Sequence, residues 1–134
     1  MKILIVDDNK QIQNLLAHIL ESHEELGFAD DGEKGLMQYQ KSIEEEKPYD
    51  LIFLDIMMPN MDGFEMLRQL RIWEDNNSNI ENKVKIAMLS SIGSPNNMLT
   101  CFEEGCDYYL VKPIIKSELT EIIDKVEEWI SFMH

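Results

Sequence analysis

Apolar residues along the chain fall into short unbroken runs that alternate with stretches of helical period. Runs of strand length occupy Lys2 to Val6, Leu51 to Leu54, Val84 to Leu89 and Tyr108 to Val111. Because they are apolar on both faces, they fit strands of a central parallel sheet. Glu25 to Ala29 is a weaker fifth candidate, short and interrupted by Gly27. Between the strands the period lengthens: Ile12, Leu15, Leu16, Ile19 and Leu20 share one face and predict a core-facing helix. Leu119, Ile122, Ile123, Val126, Ile130 and Met133 repeat the pattern near the end, with Ser117 standing where an N-cap belongs. Three more helices are expected: Gly32 to Glu46 closed by Pro48, Gly63 to Trp73 opened by Asp62, and Pro95 to Glu104 ending at Gly105. The polar stretch Asp75 to Lys83 has no apolar period and reads as a long loop.

Strand and helix therefore alternate five times. Right-handed crossovers between parallel strands then give an α/β fold, a doubly wound five-stranded parallel sheet flanked by five helices. Ligands of such sheets bind beyond the carboxyl ends of the strands. Polar chemistry clusters at those positions in this chain. Asp7 and Asp8 follow the first strand, Asp55 ends the third, Ser90 and Ser91 end the fourth, and Lys112 ends the fifth.

Composition narrows the picture. A chain of 134 residues suits one domain, here residues 1–134, large enough to bury a core without disulfide or metal staples. The excess of 26 acidic over 12 basic residues, a formal net charge of -14, argues against direct contact with nucleic acid or an anionic membrane surface. No run approaches the roughly 18 apolar residues of a membrane span, and carboxylates interrupt MKILIVDDNK too early for a signal peptide, so a cytoplasmic protein is expected. Cys101 and Cys106 have no neighbouring histidine or further cysteine to complete a zinc set, and are read as reduced, partly buried side chains. His18, His23 and His134 lie on helices or at the terminus and are read as structural.

Three carboxylates at one end of a sheet repel one another unless a cation or proton intervenes. Oxygen donors without histidine or thiolate favour a hard ion, and a sparse carboxylate set suits Mg²⁺. Lys112 at the same rim supplies a point charge for a phosphoryl oxygen, and Ser90 supplies a hydroxyl donor. The plainer readings are a solvated loop for Asp7 and Asp8 and a salt-bridge partner for Lys112. A cation, a lysine and a carboxylate nucleophile together make a phosphoryl-transfer site, with Asp55 forming an aspartyl phosphate.

The strings ILIVDDN, DLIFLDIMMPNMDGFEML, IAMLSS and GCDYYLVKP occur in this order at the expected strand ends. With them the chain resembles bacterial two-component response-regulator receiver domains over essentially its whole length, most of all the single-domain, chemotaxis-regulator-like kind. The resemblance implies a flavodoxin-like strand order of 2-1-3-4-5. It implies that Asp55 accepts phosphate from a sensor histidine kinase, a histidine phosphotransfer protein or acetyl phosphate. Asp8, Asp55 and the backbone carbonyl of Met57 would hold Mg²⁺, with Asp7 acting directly or through water. Lys112 would contact the phosphoryl group and be followed by a cis peptide bond to Pro113. Ser90 takes the place of the switch hydroxyl and Tyr109 that of the switch aromatic. Their movement would remodel the face of the fourth helix, fifth strand and last helix, which carries the signal to a downstream protein. Met57 and Ile92, two residues beyond Asp55 and Ser90, stand where the family tunes phosphate lifetime, and their bulk predicts slow dephosphorylation.

The expected protein is a stand-alone phosphoacceptor switch, not an enzyme acting on other substrates. The segment KPIIKSELTEIIDKVEEW lacks the basic pattern of receivers that dimerise through that face, so a monomer is expected. The start on a strand favours a natural N-terminus, the alternative being the excised receiver of a larger regulator. A Mg²⁺-dependent phosphohydrolase of the dehalogenase type would need a second aspartate two positions after the nucleophile, where this chain has Met57. A module that had lost the chemistry would lack one of Asp8, Asp55 or Lys112, and all three are present.

Overall fold

The computed structural model describes residues 1–20, 25–91 and 95–133. Its elements run β1 (Lys2–Val6), α1 (Lys10–Leu20), β2 (Glu25–Ala29), α2 (Gly32–Glu44), β3 (Leu51–Asp55), α3 (Gly63–Asp75), β4 (Lys85–Ser90), α4 (Pro95–Glu103), β5 (Tyr108–Val111) and α5 (Lys116–Met133). All strand pairs are parallel, in the order β2-β1-β3-β4-β5. This is the doubly wound, flavodoxin-like topology expected from the alternation and the resemblance, including the weaker candidate β2 at one edge.

Side chains alternate across each strand and divide the core in two. Leu4, Val6, Ile52, Leu54, Ile86 and Met88 face α2, α3 and α4, where Leu36, Tyr39, Met66, Leu67, Leu70 and Cys101 cover them. Ile3, Ile5, Leu51, Phe53, Ala87 and Leu89 face α1 and α5, under Leu16, Leu20, Leu119, Ile122, Ile123 and Val126. Each buried aliphatic or aromatic side chain contributes roughly 1.5–3 kcal/mol, so both layers are needed to hold the rim residues in place.

Three sequence expectations change. Leu15 is 40% exposed, while the neighbouring Gln13 is buried at the centre of the α1 stripe with Leu16 and Leu20. At about 100° per residue, positions 13, 16 and 20 fall within about 60° of one another and position 15 points about 100° or more away from each of them; the polar Gln13 is tolerated there because its amide is hydrogen-bonded. Met133 is exposed and Ile130 only partly buried, because the last turn of α5 has no strand residue to cover. Ser117 is not the N-cap: α5 begins at Lys116, and the Leu119 N–H donates to the Ile115 carbonyl.

Other ends are as the residues suggest. Asp62 caps α3 by accepting from the Glu65 N–H. The α4 helix closes on Gly105 at φ +107°, with Gly105 N–H donating to Phe102 and Cys106 N–H to Cys101. That bond pair is the Schellman pattern, and it needs a left-handed residue at Gly105. Cys101 and Cys106 are free and both buried, beyond the partial burial expected, and burial raises both thiol pKa values, to about 11 and about 12.

Below the sheet, at the amino ends of β4 and β5, a second polar cluster closes the structure. Glu74 accepts from the Tyr39 hydroxyl at 2.7 Å, from the Val84 N–H at 2.9 Å and from Arg71 at 2.7 Å. Arg71 also donates to the carbonyls of Gly105 and Val84 and to Asp107. Asp107 in turn accepts from the Ile86 N–H.

Candidate functional site: an acidic rim with one lysine

The upper ends of β1, β3 and β5 bring the expected residues together. Asp7, Asp8 and Asp55 each offer a carboxylate oxygen within 4.8 Å of the others. The Lys112 ammonium donates to Asp7 at 3.0 Å and to Asp55 at 3.2 Å. Asp7 is fully buried and Asp55 5% exposed, whereas Asp8 opens to solvent. Ser90 is buried at the last position of β4, and Ser91 just beyond it is exposed. Tyr109 is half-buried on β5 and packs against the α2–α4 side of the core. The Lys112–Pro113 peptide is cis, and the Lys112 N–H donates to the Ser90 carbonyl at 2.6 Å. The Met57 side chain is 69% exposed, and Ile92 lies outside the described residues, as do His23 and His134.

Charge at this rim is incompletely balanced. Burial first, and then the Asp7 carboxylate, push the Asp55 pKa up to about 6; Lys112 pulls it down and Asp8 adds to the rise. Burial works against the Lys112 ammonium, but its bonds and charges with Asp7 and Asp55 outweigh that and hold its pKa above the ordinary value. Three carboxylates facing one ammonium form a place where added positive charge is stabilising. Every donor in the cluster is a carboxylate oxygen, which fits a hard divalent ion such as Mg²⁺ and gives a soft metal no ligand. Both Asp7 oxygens are already engaged, Oδ1 by the Asn9 N–H and Oδ2 by Lys112. Asp8 and Asp55 thus keep more open acceptor positions for a cation than Asp7 does.

Several supporting residues were not legible in the sequence. An added Cβ on Gly63 would collide with the Asp55 carbonyl oxygen, so α3 can start against the Asp55 backbone only with glycine there. The Gly63 N–H donates to the Ile56 carbonyl at 2.8 Å. Asn60 sits at φ +66° and donates to Asp31, the side chain that also caps α2 by accepting from the Lys34 N–H. Those bonds, with Gly32 N–H to the Met61 carbonyl, tie the loop carrying Met57 to the β2–α2 corner. The one sequence signal was Asn after Pro59, since asparagine tolerates the left-handed region. Gln13 gave no signal beyond being polar within an apolar stripe.

A five-stranded parallel sheet in this order, with an acidic cluster and a lysine at the carboxyl rim, defines the receiver class of signalling domains. The family model for the response regulator receiver domain matches residues 3–124, and the chain belongs to that family. It is 40% identical over 119 residues to transcriptional regulatory protein ResD of Bacillus subtilis, covering 88% of this chain and 44% of ResD. It is 33% identical over 127 residues to chemotaxis protein CheY of Halobacterium salinarum, covering 93% of this chain and 95% of that protein. A chain in the crystal structure of a CheX–CheY–BeF3–Mg²⁺ complex from Borrelia burgdorferi superposes with a TM-score of 0.78 at 25% identity, covering 94% of this chain and 88% of that one. The chain thus spans less than half of ResD and nearly all of the halobacterial CheY. Among the described residues no helix is long and apolar enough to cross a membrane.

Proposed function

We propose that this chain is a Mg²⁺-dependent phosphoacceptor switch of a two-component system. The observation that carries the reading is the Lys112 ammonium held between Asp7 and Asp55 inside a three-carboxylate cluster. Asp55 is the nucleophile. One of its oxygens forms the bond to phosphorus as the phosphorus–nitrogen bond of a phosphohistidine breaks, on a sensor kinase or a histidine phosphotransfer protein; acetyl phosphate is the small-molecule donor. Asp8, Asp55 and the Met57 carbonyl would hold Mg²⁺, with Asp7 acting directly or through water. The ion, when bound, neutralises charge between these carboxylates and the phosphoryl oxygens. Lys112 exchanges its contact with Asp55 for one with a phosphoryl oxygen, and Ser90 donates to another. Burial of Asp55 limits access of water to the product, and the bulk of Met57 and Ile92 slows hydrolysis further. If Met57→Asn or Ile92→Ala leaves the decay rate of the phosphorylated protein unchanged, that tuning role is wrong.

Readout is a population shift in which Ser90 moves toward the phosphate and Tyr109 turns inward, remodelling the α4–β5–α5 face. Exposed Met98, Leu99, Phe102 and Val111 support an apolar partner surface on that face. The switch is cytoplasmic and monomeric, does not touch nucleic acid itself, and catalyses only its own phosphorylation and dephosphorylation. A second reading, the receiver of a longer regulator, is favoured by the partial coverage of ResD, and the native size of the full encoded protein separates the two. Incubation with Mg²⁺ and acetyl phosphate followed by intact mass tests the central reading. A gain of one phosphoryl group that Asp55→Asn abolishes is expected; no gain, or a gain that survives Asp55→Asn, contradicts it.

A further inference from the structure

Gln13 is a buried polar side chain that the chemistry described so far does not use. It is 5% exposed, and both protons of its amide are committed. Its Nε2 donates to the Asp7 carbonyl at 2.6 Å and to Asp30 Oδ1 at 3.1 Å, and Asp30 Oδ1 also accepts from Lys10 at 2.7 Å. Both neighbours are acceptors only, so the amide nitrogen must face them. The Asp7 carbonyl belongs to the peptide unit that joins Asp7 to Asp8. That unit is planar, so holding its oxygen fixes both the last backbone torsion of Asp7 and the first of Asp8. The backbone that carries this side chain is held at the start of α1, where the Gln13 main-chain N–H donates to the Asn9 carbonyl.

We propose that Gln13 is a positioning residue for the cation site: through the Asp7–Asp8 peptide it aims the exposed Asp8 carboxylate at the ion held with Asp55. Asp8 extends from the open side of the β1–α1 turn, where a solvated carboxylate otherwise samples several rotamers. A fixed peptide plane restricts the Asp8 backbone torsion on which the allowed rotamers depend. Such outer contacts tune metal affinity without touching the metal. The inference rests on the reading of the rim as a Mg²⁺ site.

The test is Mg²⁺ titration by calorimetry on the wild type, Gln13→Met, Gln13→Glu and Tyr39→Phe, each with its metal-free Tm. Gln13→Met keeps the length and removes both donors, and its Kd for Mg²⁺ is expected to rise about ten-fold. Gln13→Glu faces two acceptors with a third and so loosens the turn, although its added negative charge alone would tighten Mg²⁺; weaker binding is therefore expected for geometry and tighter binding for charge. Tyr39→Phe loses a buried hydrogen bond at the far end of the sheet, and a lower Tm with an unchanged Kd is expected. The proposal is overturned if Gln13→Met binds Mg²⁺ as the wild type does, if Gln13→Glu binds it as tightly as or more tightly than the wild type, or if Tyr39→Phe weakens it as much as Gln13→Met does. No saturable Mg²⁺ uptake by the wild type overturns both this inference and the reading beneath it.

Discussion

The two ends of the sheet each carry a charged cluster, and they are assembled on opposite terms. At the lower end Glu74 and Asp107 meet Arg71, and the Tyr39 hydroxyl, the Val84 N–H and the Ile86 N–H supply the remaining donors. With Lys85 3.8 Å from Asp107 the charges there balance, around a buried Glu74 and a partly buried Arg71 and Asp107. At the upper end Asp7, Asp8 and Asp55 cluster around the single Lys112 ammonium, and burial, with the Asp7 carboxylate next, pushes the Asp55 pKa up to about 6. A satisfied cluster locks α2, α3, β4 and β5 together. An unsatisfied one keeps a preference for added positive charge, which a bound cation would supply. The stabilising network and the candidate functional site stand at opposite ends of the same strands.

The comparison breaks most visibly at the lower end. Glu74→Ala leaves Arg71 short of a partner and the Tyr39 hydroxyl and Val84 N–H without their acceptor, so a loss of about 3–5 kcal/mol is expected in urea unfolding. The folded fraction should still gain a phosphoryl group; a fall in that reaction matching the loss of stability would mean that the two ends are not separable. At the upper end the sign reverses. Asp55→Asn removes one of three crowded carboxylates, and the metal-free protein is expected to gain on the order of 1 kcal/mol at neutral pH, read as a rise in Tm while phosphorylation disappears.

A pH series sharpens the same contrast. With its folded pKa raised to about 6 from 3.8, Asp55 binds more protons folded than unfolded in that window. Its contribution to stability therefore falls as pH rises from about 4 through about 6 in metal-free buffer. Mg²⁺ favours the ionised form, so the Tm gain on adding it should grow between about pH 5 and 7.5; a flat Mg²⁺ increment would argue that Asp55 is not a ligand. The smallest effect is expected at Lys85, which lies 4.6 Å above the Trp129 ring and 3.8 Å from Asp107. Lys85→Ala should cost about 0.5–1 kcal/mol, and a loss several times larger would show the lower cluster to depend on it.

The sequence by itself determined the alternation of elements, the sheet and the four segments that deliver polar groups to its rim. Those are local properties: apolar runs, helical period, and a capping residue such as Asp62 need no knowledge of distant neighbours. It misplaced Leu15 and overlooked Gln13, because hydrophobicity alone cannot say that a polar side chain at the centre of a buried stripe will find two acceptors waiting. Only tertiary structure decided that Asp7 spends both carboxylate oxygens on Asn9 and Lys112, that Gly63 must lie against Asp55, and that Arg71, Glu74 and Asp107 form one network. Each depends on residues from separate elements meeting within hydrogen-bond distance. Packing sets that distance, and one residue's identity does not.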